Sequence, residues 1–346
     1  MINSRKNEIF NANPIVSSND LRKTLVNVDT RFRTVLTEPS SSCTFRFEHP
    51  YKNVIRARVA SVEIPNVWYE FSYATNHNTY FTICATDISG VLRSTQIIIP
   101  DGNYTAVDLC VTIQNLLTTQ FQTPYGIFIT VVPNPINLKT TFIHNGVGPV
   151  GAAAPTRSAS PFVLNFKVPE LCYQPFDFGL GYNLGFMNTY YNVTNVYDVS
   201  GTFTRYSQTS ESLILVVADP YILLCVDDLH GIDQKTGTGY VQCLAKIVVR
   251  EDKNNIIYDD GASLLSNDVV FPSPVDFTTI KIKLVDAYGT PLNMNYMNFS
   301  FSLELTEVMN TKMYEFYRNY IWLGTVPSLP ANVTGSGQGL LGGRGP

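Results

Sequence analysis

The stretch Met297–Leu305, MNFSFSLEL, decides the reading of the fold. Phe299, Phe301, Leu303 and Leu305 share one face of an extended chain, and Asn298, Ser300, Ser302 and Glu304 share the other. A two-residue period belongs to a strand with one face buried. Just upstream, TTIKIKLVDAYG sets Ile280, Ile282 and Leu284 against Lys281, Lys283 and Val285, and AYGT reads as a turn. Near the other end of the chain, NVIRARVASVEIPN alternates Ile55, Ala57 and Val59 with Arg56 and Arg58. The phase then slips, and Val62 and Ile64 alternate with Ser61 and Glu63. An uncorrected slip of one residue would turn the core face to solvent, so a β-bulge is expected near Val59–Ala60. Pro65 ends that strand.

Between these landmarks lie further short strands: SSSCTFRFEHP, NTYFTI, STQIIIP, GIFITVV, FVLNFKV, ESLILVV, YILLCV and YVQCLAKIVV. One segment has the helical period instead. In DGNYTAVDLCVTIQNLLTTQ, residues Ala106, Leu109, Cys110, Ile113, Leu116 and Leu117 fall on one face, with Thr105 and Asp108 spaced like a capping box. Many strands with turn signals between them and few helices indicate an all-β fold, a jelly-roll-like antiparallel β-sandwich. The expected organisation is an N-terminal arm at 1–26 and a sandwich core at 27–306. That core carries an inserted amphipathic helix at 105–119 and a Pro- and Gly-rich excursion at about 133–210. A C-terminal helix at 307–323 and a Gly-rich tail at 324–346 follow. The length of 346 residues allows one large sandwich or two smaller ones.

Apolar residues make up 45% of the chain, enough for a sizeable core, and charged residues only 15%. Asn, Thr, Ser and Tyr take the surface instead, which suits broad protein contact. The net charge of −4 argues against nucleic acid as the partner. The basic clusters SRKN, DTRFR and RAR are short and read as solvated faces. Six scattered cysteines without a C-x-x-C pair are expected to be reduced thiols. MINSRKNEIF lacks the apolar run of a signal peptide, and the longest apolar run is cut by Asp219–Pro220, so no bilayer-spanning segment is expected.

No catalytic, cofactor or metal motif emerges. The four histidines, His49, His77, His144 and His230, have no zinc-ligand spacing. Asp227, Asp228 and His230 in DDLHG, and Asp259–Asp260 before Gly261, read as turn chemistry. GLGYNLG at 179–185 misses the dinucleotide spacing and reads as a loop. The positive signal is aromatic: 20 Tyr and 20 Phe. VWYEFSY at Val67–Tyr73 is expected to cover the core. In MYEFYRNYIW, a helical face of Met309, Met313, Phe316, Tyr317 and Tyr320 follows the last strand. Met313, Tyr314, Phe316, Tyr317, Tyr320 and Trp322 are therefore the candidate protein-interface residues.

Several stretches, in order, carry a resemblance: NVDTRFR (27–33), KNVIRARVASVEIPNVWYEFS (52–72), NTYFTI (78–83), IIIPDGNYTAVDLCVTIQNLL (97–117), LAKI (244–247) and TTIKIKLVDAYGTPLNMNYMNFSFSLEL (278–305). The chain resembles the minor capsid proteins of large eukaryotic DNA viruses. The resemblance covers both ends of the core and leaves out about 133–210, the C-terminal helix and the tail. It implies a jelly-roll-like protein of the icosahedral virion shell, assembled in the host cytoplasm. The implied partners are major capsid protein trimers and other minor capsid proteins, near an inner viral membrane. It implies no catalytic residue, and it marks Pro65, Asp101–Asn103 and Tyr288–Gly289 as fold determinants. Two alternatives stay open. One is a penton protein at the vertices. The other is a glycan-binding or glycan-cleaving β-sandwich, with Val67–Tyr73 as sugar platforms and Asp227, Asp228 and Glu211 as acids.

Overall fold

The computed structural model describes residues 20–168, 179–198, 203–216, 220–227, 229–235, 239–260, 265–312 and residue 314. The chain opens with β1 (Leu21–Asp29) and the long β2 (Ser42–Pro65), followed by β3 (Tyr80–Thr86), β4 (Leu92–Ile98), α1 (Ala106–Leu117), β5 (Ile127–Pro133) and β6 (Thr140–Val147). Next come β7 (Phe162–Asn165), a single helical turn α2 (Leu180–Asn183), β8 (Tyr190–Val193), β9 (Val196–Asp198) and β10 (Arg205–Thr209). The last third holds β11 (Tyr221–Val226), β12 (Ile232–Lys235), β13 (Tyr240–Cys243), β14 (Ala245–Val248), β15 (Ile256–Asp259), β16 (Leu265–Ser266), β17 (Val269–Val285) and β18 (Ser300–Val308).

The fold is all-β, and its named strand pairs are antiparallel. Its buried apolar side chains form two large clusters. One joins residues from β1, β2, β11, β14, β15, β17 and β18. The other joins residues between Phe71 and Ile214. The chain therefore builds one sandwich from its two ends and a second from the insertion between them.

The first sandwich is one sheet folded on itself, in the order β1-β18-β2-β17-β11-β14-β16 with β15 on β2. Its axis is the pairing of β2 with β17. Val269 and Val270 pair with Ala57 and Arg56 at one end, and Thr279–Lys283 pair with Arg46–Ser42 at the other. Register shifts interrupt the ladder between Val270 and Thr279, where Pro272 and Pro274 stand. Proline cannot donate to a ladder, so it belongs at such a break. β18 pairs with the second half of β2 and β11 with the second half of β17, so the sheet's two wings leave from opposite ends of the bend. Their apolar faces meet in a single core.

The alternation of MNFSFSLEL holds. Phe299, Phe301, Leu303 and Leu305 are all buried, each such side chain contributing roughly 1.5–3 kcal/mol. The bulge also lies where the phase slip placed it: Ser61 pairs with Ser302 and Val59 with Leu303, leaving Ala60 over. Ala57, Val59, Val62 and Ile64 thereby all face the core. The Val59 N–H donates to Ser266 Oγ at 3.2 Å and ties β16 to β2. A second irregularity at Ile55 buries Val54 instead.

The second sandwich sets the sheet β4-β3-β7-β8 against β5-β6-β10-β9. Helix α1 packs its Leu109, Cys110, Ile113 and Leu117 face into that core, and Thr105 caps it by accepting from the Asp108 N–H at 3.1 Å. Gln114 seals the edge of β5. Its Oε1 accepts from the Val131 N–H at 2.9 Å, and its Nε2 donates to the Ile129 carbonyl at 3.2 Å. One side-chain amide thus stands in for a neighbouring strand.

Five expectations change. Leu21–Val26, expected in the arm, are part of β1, because Val26 and Val28 bury against the core while β18 supplies the ladder. Glu307 and Val308, expected to start the C-terminal helix, end β18. Glu307 is buried there because Arg22 grips its carboxylate with two bonds of 2.9 and 3.0 Å. Of ESLILVV, the described residues Glu211–Val216 form no strand: Ile214 is buried, but Leu213 and Leu215 are exposed, and the backbone bonds go to Leu138 and Asn183. Gly179–Gly185, expected as a loop, contains the α2 turn. Val285, on the Lys face of its strand by period, is also buried, in a small cluster with Leu223 and Cys243.

Candidate functional site

The two sandwiches meet at the segment 66–73, and two of the stretches quoted above converge on it together with Lys253. From IPDGNYT, Asn103 Oδ1 accepts from the Glu70 N–H at 2.9 Å and Asp101 Oδ1 from the Tyr73 N–H at 2.8 Å. Gly102 and Phe71 exchange both backbone bonds, at 2.9 and 3.0 Å. From NMNYMNF, Asn295 Nδ2 donates to the Val67 carbonyl at 2.6 Å. Lys253 donates to the Trp68 carbonyl at 3.0 Å, stands 4.5 Å from the Trp68 ring centroid and ion-pairs with Glu70. Burial pulls the Lys253 ammonium below the usual lysine range, and Glu70 works against that pull. Of the expected fold determinants, Asp101, Gly102 and Asn103 are therefore bolts of the inter-sandwich joint.

A cavity of ≈ 130 Å³ opens beside the joint, lined in part by Tyr69, Asn76, Tyr182 and Tyr288. Its polar walls are already committed to the chain itself. Asn183 Nδ2 donates to the Leu215 carbonyl at 2.9 Å, and Asp286 Oδ1 accepts from the Tyr288 and Thr290 N–H groups at 2.9 and 2.8 Å. Of the aromatics in Val67–Tyr73, Trp68 and Phe71 are buried, as expected of core cover, whereas Tyr69 and Tyr73 are exposed. The carboxylates sketched as glycan acids are not brought together. Glu211, in the second sandwich, accepts from the Tyr191 hydroxyl at 2.7 Å, and Asp227, in the first, lies 3.6 Å from Lys281 Nζ. Asp228 is outside the described residues. No group of three potential metal ligands occurs among the described residues, and no helix among them is long and apolar enough to cross a membrane.

Of the basic clusters, SRKN lies outside the described residues, and the arginines of RAR are engaged. Arg58 and Lys23 both reach Glu304, each at 2.8 Å, and Arg56 reaches Asp268 at 3.1 Å. The Arg58 hydrogen bond, with Lys23 beside it, holds the Glu304 carboxyl below its usual range.

The surface with the most to offer a partner lies past the start of β18. Two loops there, 30–40 and 293–298, are stitched together. Arg33 donates to the Thr30, Leu36 and Glu38 carbonyls and to Asn298 Oδ1, each at 2.8 Å, and Ser40 Oγ donates to the Met297 carbonyl at 2.6 Å. Arg31 is folded onto Asp29, and that hydrogen bond lowers the Asp29 pKa. Arg33 is thus spent on the loops' own carbonyls, Arg31 stays exposed with its guanidinium 5.9 Å from the Phe32 ring centroid, and the loops present Phe32, Val35, Leu36, Tyr296 and Met297 to solvent. Tyr296 is completely exposed, at 103%. It is also held at φ +64°, following Asn295 at +48°, in a turn closed by the Met297 N–H on the Met294 carbonyl at 2.8 Å. Two successive positive φ angles make a type I′ turn, whose second corner favours glycine. A bulky residue at positive φ is an outlier, and such strain gathers at functional positions.

Of the interface residues expected from sequence, Tyr314 alone is described. It is half-buried, and its N–H donates to the Asn310 carbonyl at 3.1 Å. Met313, Phe316, Tyr317, Tyr320 and Trp322 lie outside the described residues. The loop surface was missed because DTRFR reads as a basic cluster. The signal available in sequence was Phe32, Leu36 and Tyr296 standing among turn formers, where no core period claims them.

No family model matches the chain, and no curated protein does. Among solved structures, the chain is similar to the mavirus penton protein, with a TM-score of 0.38 and 9% identity over 83% of this chain and 98% of that one. It is also similar to a chain of the Sputnik virophage solved by cryo-electron microscopy, with a TM-score of 0.36 and 14% identity over 85% of this chain and 99% of that one.

Proposed function

We propose that this chain is a structural protein of an icosahedral virion shell. In this reading it is a minor capsid protein that cements major capsid protein trimers by contact area rather than by bond chemistry, in particles assembled in the host cytoplasm. The observation that carries the reading is the stitched loop surface: Phe32, Val35, Leu36, Tyr296 and Met297 exposed on two loops that Arg33 ties together, with Arg31 paired to Asp29 beside Phe32. Apolar and aromatic side chains with an arginine among them, on loops already pinned by hydrogen bonds, are what a lasting protein contact uses, since ordering them on binding costs little. The sequence resemblance to minor capsid proteins supports the shell as the place where that contact is made. The double sandwich, bolted at 66–73, supports a spacer of fixed shape.

Quantitative mass spectrometry of purified particles tests this. A facet cement is expected in copy numbers that rise with shell area across capsids of different size. A copy number fixed by the vertices would make the chain a penton component instead. Its absence from purified particles would overturn the reading.

A further inference from the structure

We infer that Cys225 and Cys243 are an oxidisable pair, joined by a disulfide when the protein meets a disulfide-bearing oxidant, and that this bond latches the hairpin β12–β13 onto the first sandwich. Strand register sets the two thiols side by side, whatever part the protein plays in a shell.

β14 pairs with β11, Lys246 opposite Leu223 and Ala245 opposite Leu224. Lys246 Nζ lies 3.9 Å from the Tyr221 ring centroid, on the Leu223 face. Strict alternation would put Cys243, three residues before Lys246, on the other face. Instead Cys243 clusters with Leu223 and Val285, and Cys225 packs against them. One extra residue accounts for this. Leu244 and Ala245 are both buried in the first core, and the Leu244 N–H donates to the Leu224 carbonyl at 2.8 Å, so two residues stand opposite Leu224. Past that bulge, Cys243 comes opposite Cys225. The Cys225 backbone is turned to β17: Cys225 is in register with Lys283, and two residues on the Asp227 N–H donates to the Lys281 carbonyl at 3.0 Å. Towards Cys243 it is therefore a non-hydrogen-bonded position. Opposed Cα atoms lie roughly 4.5 Å apart at such positions, within the roughly 4.4–6.8 Å that a disulfide spans.

Both are free thiols in the structure, Cys243 buried and Cys225 half-buried. Burial pushes Cys225 up to about 12 and Cys243 up to about 11, so both stay protonated near neutral pH and exchange slowly. A disulfide has no charge to desolvate and suits the apolar cluster. With oxidised glutathione, the Cys225 thiolate attacks one sulfur and releases the first glutathione thiol. The Cys243 thiolate then attacks the Cys225 sulfur and releases the second. The two cysteines lose two electrons and two protons, and the oxidant carries both away as two thiols. The other described cysteines lie apart: Cys43 is in the first core, Cys110 in the second, and Cys84 donates to Ser94 Oγ at 3.2 Å. The part that gains from the bond is the hairpin. β12–β13 is a two-stranded sheet of its own, and no ladder among the described residues joins it to β11. A covalent tie supplies that missing link.

For the test, the full-length protein is incubated with oxidised glutathione at mildly alkaline pH, quenched with N-ethylmaleimide and digested with trypsin without reduction. Cleavage after Arg205, Lys235 and Lys246 leaves Cys225 and Cys243 as the single cysteines of peptides 206–235 and 236–246, so the bond is read as one linked mass. That mass is expected to be the main cysteine product, and urea denaturation of the oxidised protein is expected to show a raised midpoint that dithiothreitol reverses. C225S, checked for folding by its midpoint before oxidation, is expected to give neither result, and C84S to give both. A reaction that stops at glutathionylated Cys225, a linkage no more frequent than in urea-unfolded protein, or a midpoint that the bond leaves unmoved would each overturn the inference.

Discussion

Replacing Tyr296 by glycine is expected to make the protein more stable and worse at binding. In the turn Met294–Met297 the tyrosine sits at φ +64°, and its side chain is wholly in solvent. A left-handed conformation costs a non-glycine residue roughly 1–2 kcal/mol. Glycine removes that cost but adds roughly 0.5–1 kcal/mol of chain entropy to the unfolded state. The ring has no burial to lose, so the net gain for Y296G is about 0.5–1 kcal/mol. Urea denaturation at neutral pH measures it, as a higher midpoint at unchanged slope. Incorporation of the same variant into particles, read by quantitative mass spectrometry, is expected to fall. A lower midpoint would mean that the ring supports the fold, and the argument that strain is kept here for a contact would fail.

Three further outcomes follow from individual contacts. His144 is fully buried in β6, with Nδ1 2.9 Å from the Ser160 carbonyl, and burial pushes its pKa down from 6.5 to about 4. The folded state keeps it neutral while the unfolded chain takes up a proton below pH 6.5. Stability is thus complete above that pH and falls as the pH drops towards 4, by about 2 kcal/mol at pH 5. The H144F variant is expected to lose this slope between pH 7 and 5, and an unchanged slope would refute the assignment. Q114A strips the partners from the Val131 N–H and the Ile129 carbonyl and is expected to cost about 2 kcal/mol by urea denaturation. Q114E, which can accept but not donate, should fall between, and equal stability of all three proteins would mean that the β5 edge needs no seal. Deleting Ala60 turns two fully buried side chains out of the core, roughly 3–6 kcal/mol, whereas A60G keeps the bulge. A deletion variant that melts with the wild type would show that the bulge does not set the register.

What the sequence made legible was local. The period of Met297–Leu305, the slip at Val59–Ala60 and the apolar face of α1 each need only a few neighbouring residues to be read. The division into two sandwiches needs pairings such as Val28 with Phe301, which no local pattern announces. The start of β1 was missed for the same reason: its residues look polar until β18 supplies the ladder. Gln114 closing β5 and Arg22 neutralising Glu307 are tertiary solutions to a sheet edge and a buried charge, with no sequence signature of their own. The loop surface was hidden differently. Its arginines suggested a solvated basic face, and only the bonds from Arg33 to the loop carbonyls show the frame on which Phe32, Leu36 and Tyr296 stand exposed beside Arg31.

Cross-linking mass spectrometry on intact particles tests the central claim most directly. Lys312 is exposed, three residues past Met309, where the chain leaves β18. Links from Lys312 to the major capsid protein are the expected result. Particles that lack the protein, or that hold it with Lys312 linked only within its own chain, would contradict the account.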